Sequence, residues 1–344
     1  MKIRNIVGIL SLTLVLGLLS GCGVKNDSGE EVIRISIGQS NNPGEPFAEA
    51  ADYWAEILEE ESGGTMIMTH YPSDQLGSKT DLFDQMIAGD AVIAPGSSPF
   101  FSDLGIADFG IVQAPYLCSS WEEMEKLMSS DWYLDLEKQL EKKGYKIIAR
   151  NWRYGARHTL TKSLVEHPED LKGMKVRVPD SIPYVKTFEA IGANPTPLTM
   201  NEIYTSLQQG TIDGLENPLT TIANGGWQEV AKYILLDGHI LDMTSMVCGI
   251  DFWNGLTPEQ QEILQRTAEK AGEYQNKLME EAETESRKIL EEAGVIFTEA
   301  NVEEFRMAAE DYYTYKEFSN WTPGLYDMVK EILAEEGSNE KCME

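Results

Sequence analysis

Basic residues are scarce in this chain: 28 Lys and Arg stand against 57 Asp and Glu, a formal charge of −29. A surface so acidic repels nucleic acid and anionic headgroups, which excludes nucleic-acid binding; an anionic solute would need locally placed arginines. Histidine is scarcer still, with four in 344 residues (His70, His158, His167 and His239), all in unrelated contexts. No H-E-x-x-H, G-x-S-x-G, Walker A or G-x-G-x-x-G stretch occurs. The many acids fall on solvated helix faces rather than as an isolated pair. Nothing therefore signals catalysis, a metal or a cofactor. The four cysteines form no C-x-x-C and no metal-like spacing, and Cys118 and Cys248 read as buried free thiols. No internal repeat of fixed period is visible.

Long apolar runs are also missing, with one exception. After Lys2 and Arg4 the run Ile6 to Leu19 is followed by Leu19-Ser20-Gly21-Cys22. Fourteen residues fall short of the roughly 20 that span a bilayer, and the pattern matches a secretory signal over 1–21. The Leu-Ser-Gly-Cys ending resembles a lipobox, which would make Cys22 the lipidated first residue. Two acyl chains are enough to tether a protein to a membrane. Residues 22–31 then read as a polar linker. Removing 1–21 takes away Lys2 and Arg4 and no acid, so the charge moves from −29 to −31.

The body begins with alternation at Ile33, Ile35 and Ile37, a first strand. A helix is predicted from Pro46 to about Glu61, a strand over 65–70, a helix over 78–89 and a strand over 91–94. This βαβα order implies an α/β domain with a mostly parallel sheet. Tyr145 to Ala149 is a later strand that feeds a loop over 151–157. Thr257-Pro258-Glu259-Gln260 is a capping box with Pro at N1, and heptad-like spacing runs on to Ala293. At 1.5 Å per residue this helix is about 54 Å long, enough to cross two domains.

Between Asp170 and Pro218 the sequence sets one arginine on a short strand and one asparagine before a proline. Lys175 to Val178 alternates, so Val176 and Val178 share a face and Arg177 points to the other. Thr199 and Glu202 form a capping box for a helix over 203–209, stopped at Gly210. Asn217 precedes Pro218, which holds it extended. A guanidinium is a planar fork that matches the two oxygens of a carboxylate. Loops at the carboxyl ends of strands carry ligands in open α/β sheets. Asn41 and Asn42 follow the first strand, Ser97 and Ser98 another, and Trp152 and Tyr154 lie close to Arg157. His239 reads as a structural histidine.

The words DLKGMKVRVPDS, GANPTP, EIYTSLQQG and DGLENP stand in one order, with YPSDQLGSKTDLFDQMIAGD (71–90) and Gly155-Ala156-Arg157-His158-Thr159 upstream. Together they resemble the solute-binding proteins of tripartite ATP-independent periplasmic (TRAP) transporters, the C4-dicarboxylate-binding family. The likeness covers about residues 32 to 335. It implies a two-lobed periplasmic-binding-protein-like α/β fold with a hinged ligand cleft and a long helix bracing both lobes. Lobe I would comprise 32–154 plus 242–281, and lobe II 155–241 plus 282–335. It also implies that Arg177, in the Arg-Val-Pro word, clamps the ligand carboxylate, with Arg157 and Asn217 beside it. The site expected is thus Arg177, Arg157, Asn217, Asn41, Asn42, Ser97, Ser98, Trp152 and Tyr154. The implied protein is a monomeric, lipid-anchored extracytoplasmic carrier with no cofactor and no catalysis. Its partners are a small organic acid and the membrane subunits of a TRAP transporter. Two arginines fit a sugar acid such as a hexuronate first and a C4 dicarboxylate next. A ligand-presenting sensor, or an enzyme acting on a carboxylate, are the alternatives.

Overall fold

A computed structural model describes residues 32–335; the expected signal and the expected lipidation site at Cys22 lie outside the described residues, as does Cys342. Nine strands join in one sheet: β1 (Ile33–Gly38), β2 (Met66–Tyr71), β3 (Val92–Ser97), β4 (Tyr145–Thr161), β5 (Lys175–Val178), β6 (Asn194–Pro197), β7 (Gly214–Asn217), β8 (Tyr233–Gly249) and β9 (Ile296–Glu299). Their order is β2-β1-β3-β8-β4-β7-β5-β6, with β9 on β8. The outer pairs are parallel, as the βαβα pattern requires, while the central β4–β8 pair is antiparallel. Two lobes result, one built on β2-β1-β3 and one on β7-β5-β6, and both are threaded by the same two 17-residue strands.

The sequence reading ended β4 at Ala149, and the strand in fact runs to Thr161. Its pairing with β8 slips four times, between Ile147 and Thr159, and each bulge breaks the two-residue alternation on which strand reading depends. Gly155 sits at one slip with φ +128°, and a Cβ there would lie 2.9 Å from Pro218 and 3.1 Å from Met279. Only glycine fits this crossing between lobes.

Helix α1 (Pro46–Glu61) starts with Pro at N1 and buries Phe47, Ala51, Trp54 and Leu58. Helix α2 (Lys79–Ile87) is started by a Ser78–Asp81 capping box. The long helix Pro258–Glu292 carries the Thr257–Gln260 box as its sequence forecast. Near its start Thr267 Oγ1 accepts from Trp54 and the Ala268 carbonyl from Trp152. Near its end Leu290 packs with Ile222, Ile234 and Val295 in the other lobe. One helix therefore braces both halves.

The C-terminal segment divides its packing. Phe305 and Ala309 join Val176, Val178 and Phe188, whereas Tyr312, Phe318, Leu325 and Val329 join Phe109, Leu127 and Tyr145. The aromatic pairs at 312–321 take the last segment back onto the core next to β3. Cys118 and Cys248 are buried and free, as expected.

Candidate functional site

Where the lobes meet over β4 and β8 lies a cavity of about 170 Å³. That is smaller than the ~300 Å³ at the low end of drug-sized pockets, so it suits a small solute. One wall comes from the carboxyl-terminal ends of β1, β2 and β3 and the segments that follow them, through Asn41, Asp74, Lys79 and Ser97. The other comes from Arg177, Asp180, Tyr184, Leu198, Thr199 and Asn217, and the floor from Tyr154, Arg157 and Asp242.

The two arginines differ in a way the sequence did not show. Arg157, on β4, is clamped between carboxylates: Nε and Nη2 donate to Glu216 and Nη1 donates to Asp242 at 2.7 Å. Glu216 is wholly buried and Asp242 nearly so. Burial alone would lower the arginine's proton affinity, but these two acids and Tyr184 raise it well above the usual value. Glu216 also faces His239 Nε2 at 3.2 Å, and His239 Nδ1 lies 3.1 Å from Asp237. Burial would depress the imidazole; Asp237 and Glu216 outweigh it and hold its pKa at about 9. His239 is a buried structural histidine, as its context suggested.

Arg177 is the opposite case. Val176 and Val178 point into the lobe core, so the strand's period of two turns Arg177 to the cavity. Its Nε and Nη2 both donate to the Leu198 carbonyl, at 2.9 and 2.7 Å, just past the end of β6. Only 4% of its surface is exposed, and among the described residues no carboxylate pairs with it. Burial lowers its pKa to about 10. A buried, uncompensated cation next to a cavity is the site's strongest electrostatic feature. Asn217 adds a buried Nδ2 with no partner.

Asn41, Ser97 and Tyr154 also line the cavity, but three expected residues do not. Trp152 is fully buried against Phe47 and Trp54, with its indole donating to the Ala268 carbonyl. Ser98 sits 3.5 Å from the Tyr133 hydroxyl in the core. Asn42 turns away, with its N–H donating to Glu45 and its Oδ1 accepting from Ser73. Trp152 and Tyr154 both pack on Phe47, and of the two only Tyr154 lines the cleft.

Sequence reading missed Asp74, Lys79, Asp180, Tyr184 and Asp242, all on the lining, and Glu45 just behind it. Glu45 holds the N-cap position of α1 yet makes no cap. It accepts instead from Asn41 Nδ2 (2.6 Å), from the Asn42 N–H (2.8 Å) and from Thr221 of the other lobe (3.2 Å). A glutamate at a position that favours Ser, Thr, Asp or Asn was the available signal. A larger hollow of about 590 Å³ opens on another face, between Asp237, Glu280, Arg287 and Arg306, and it contains none of these convergent groups.

Two lobes that share a pair of long strands, with a small polar cavity at their crossing, define a solute-binding protein. The chain belongs to the bacterial extracellular solute-binding proteins of family 7, whose model matches residues 37–319. It captures a small organic acid outside the cytoplasm for a TRAP transporter, and it is a binding protein, not an enzyme. Among the described residues no helix is long and apolar enough to cross a membrane. A TRAP periplasmic solute-binding protein of Actinobacillus succinogenes with bound L-galactonate is 38% identical, with a TM-score of 0.84 over 87% of this chain and 99% of that one. One from Ochrobacterium anthropi with bound L-fuconate is 37% identical (TM-score 0.85; 88% and 99% covered). One from Fusobacterium nucleatum with bound sn-glycerol-3-phosphate is 31% identical (TM-score 0.84; 88% and 97%).

Proposed function

We propose that the cleft takes a six-carbon sugar acid, a hexonate or hexuronate, through its single carboxylate at Arg177. The carrying observation is the contrast between the arginines: Arg157 already has two carboxylates, and Arg177 has only a neutral carbonyl. One open guanidinium calls for one carboxylate. Asp74, Asp180 and Asp242 on the same lining can accept hydrogen bonds from hydroxyls and repel a second anionic group, which disfavours C4 dicarboxylates and phosphate esters. The sugar acids bound in two similar proteins support the same reading. Asn217 would donate its free Nδ2 to the carboxylate, and Asn41, Ser97 and Tyr154 would meet hydroxyls. Asn42, Ser98 and Trp152 act as supports behind them.

The lobes would close over the solute about the β4–β8 crossing. We assign 32–154 and 242–281 to lobe I and 155–241 and 282–309 to lobe II, with 310–335 returning to lobe I on its packing. Cys22 would carry a lipid that tethers a monomer to the outer face of the membrane. A thermal-shift screen of hexonates, hexuronates, C4 dicarboxylates and glycerol phosphate tests the ligand class. At 100 times the dissociation constant a ligand stabilises by about 2.7 kcal/mol. Stabilisation by sugar acids alone is the expected result; stabilisation by succinate or malate alone contradicts it. Loss of the membrane subunits should abolish uptake, whereas intact uptake with altered transcription would make the protein a sensor.

A further inference from the structure

We infer that Asp74, in the loop between β2 and α2, and Lys79, at the first position of α2, form a paired acceptor and donor that reads a ligand hydroxyl and makes the site selective against dicarboxylates. The inference rests on the sugar-acid reading and adds to it the residues that discriminate. Three independent features converge on this segment.

Its backbone is strained. Ser73 and Asp74 are consecutive non-glycine residues in the left-handed region, with φ +54° and +58°. Such positions persist only where surrounding bonds hold them and are concentrated at ligand sites. Here the Ser73 and Asp74 N–H groups donate to the Asn41 and Gln39 carbonyls, each at 3.0 Å, which ties the loop to the one after β1.

The Asp74 side chain is left unserved. It lines the cavity and makes no hydrogen bond among the described residues, and its Oδ1 is buried without a partner. Buried polar groups of this kind call for an explanation, and a hydroxyl donor from the solute supplies one.

Lys79 is placed against the helix dipole. It occupies the first position of α2, where the helix dipole disfavours a cation. Its Nζ stands 3.9 Å over the Phe100 ring with no carboxylate paired to it among the described residues. The Ser78–Asp81 box fixes the helix start, so Lys79 cannot drift from the cavity wall. A sugar hydroxyl both donates and accepts, so an adjacent carboxylate and ammonium satisfy it fully. A second carboxylate would gain Lys79 and meet Asp74, which cancels the benefit.

Asp74→Asn is a clean probe, since asparagine tolerates the left-handed backbone and loses only the charge. Lys79→Met keeps the stem and removes the ammonium. Calorimetry would compare wild type and both variants on the tightest binder among L-galactonate, D-gluconate and D-glucuronate, and on succinate. The expected result is at least tenfold weaker sugar-acid binding for each variant, with succinate binding improved several-fold by Asp74→Asn. For Asp74→Asn a purely structural role would move both ligands in the same direction, and that outcome overturns the inference. So does sugar-acid binding within twofold of wild type in both variants. If wild type binds succinate and none of the sugar acids, the sugar-acid reading itself fails, and this inference falls with it.

Discussion

Arg157 and Asp242 meet at 2.7 Å across the two strands that join the lobes, Nη1 donating to Oδ2, with both side chains almost wholly buried. Glu216 closes the other side of the guanidinium, so the floor of the cleft is a neutralised structural knot. The free charge lies elsewhere, on Arg177.

This division makes a stability prediction. Removing one partner of a buried ion pair costs about 3–5 kcal/mol, because the remaining charges are stranded. Arg157→Ala should therefore destabilise the ligand-free protein by that amount in urea unfolding. Arg177→Ala removes a buried cation that has no partner to strand, and its ligand-free stability should stay within about 1 kcal/mol of wild type. Equal losses in the two variants would contradict the division of roles.

Glu45 makes the protein sensitive to pH. Burial raises its pKa from 4.5 to about 7, against hydrogen bonds from Asn41, Asn42 and Thr221 that lower it. Between those two values the folded state holds a proton that the unfolded chain has released, so stability falls as pH rises through this window and levels off above it. Integrated over the shift, the loss is on the order of 3 kcal/mol. Glu45→Gln cannot ionise and should lack this component. Melting temperatures of the two proteins across about pH 4.5 to 8 check it: wild type should lose ground to the variant as pH rises, and a constant gap would refute the shift.

Anchoring rests on the Leu19-Ser20-Gly21-Cys22 sequence. Expressed in a bacterium, the full chain should partition with membranes, and Cys22→Ala should not. Equal detergent partitioning of the two would remove the lipid from the account.

Local signals carried most of what the sequence revealed. Capping boxes at Thr199–Glu202 and Thr257–Gln260, the left-handed stop at Gly210 and the alternation around Arg177 are read within a few residues, and all appear in the structure. The far end of β4 was hidden because its bulges spoil the alternation. Trp152 lies beside Arg157 in the sequence and was expected in the site, but its burial depends on α1 and the long helix, far off in sequence. Asp242 carries no motif of its own, and Lys79 lies in the matched word over 71–90 with nothing there to mark it as a site residue; only the crossing of β8 with β4 and the approach of the segment after β2 bring them to the arginines. The arginine motifs located the site, while the charge balance that separates Arg157 from Arg177 needed the partners in space.

The central claim is that Arg177 holds the solute carboxylate through the geometry of its fork. Lysine keeps the charge and reduces a two-point contact to one. A hydrogen bond to a charged group contributes about 1.5–3 kcal/mol, and each 1.4 kcal/mol is tenfold in affinity. Calorimetry of Arg177→Lys on the cognate acid should show binding weakened roughly ten- to a hundredfold, with an unchanged ligand-free fold. Affinity within about twofold of wild type would contradict the assignment.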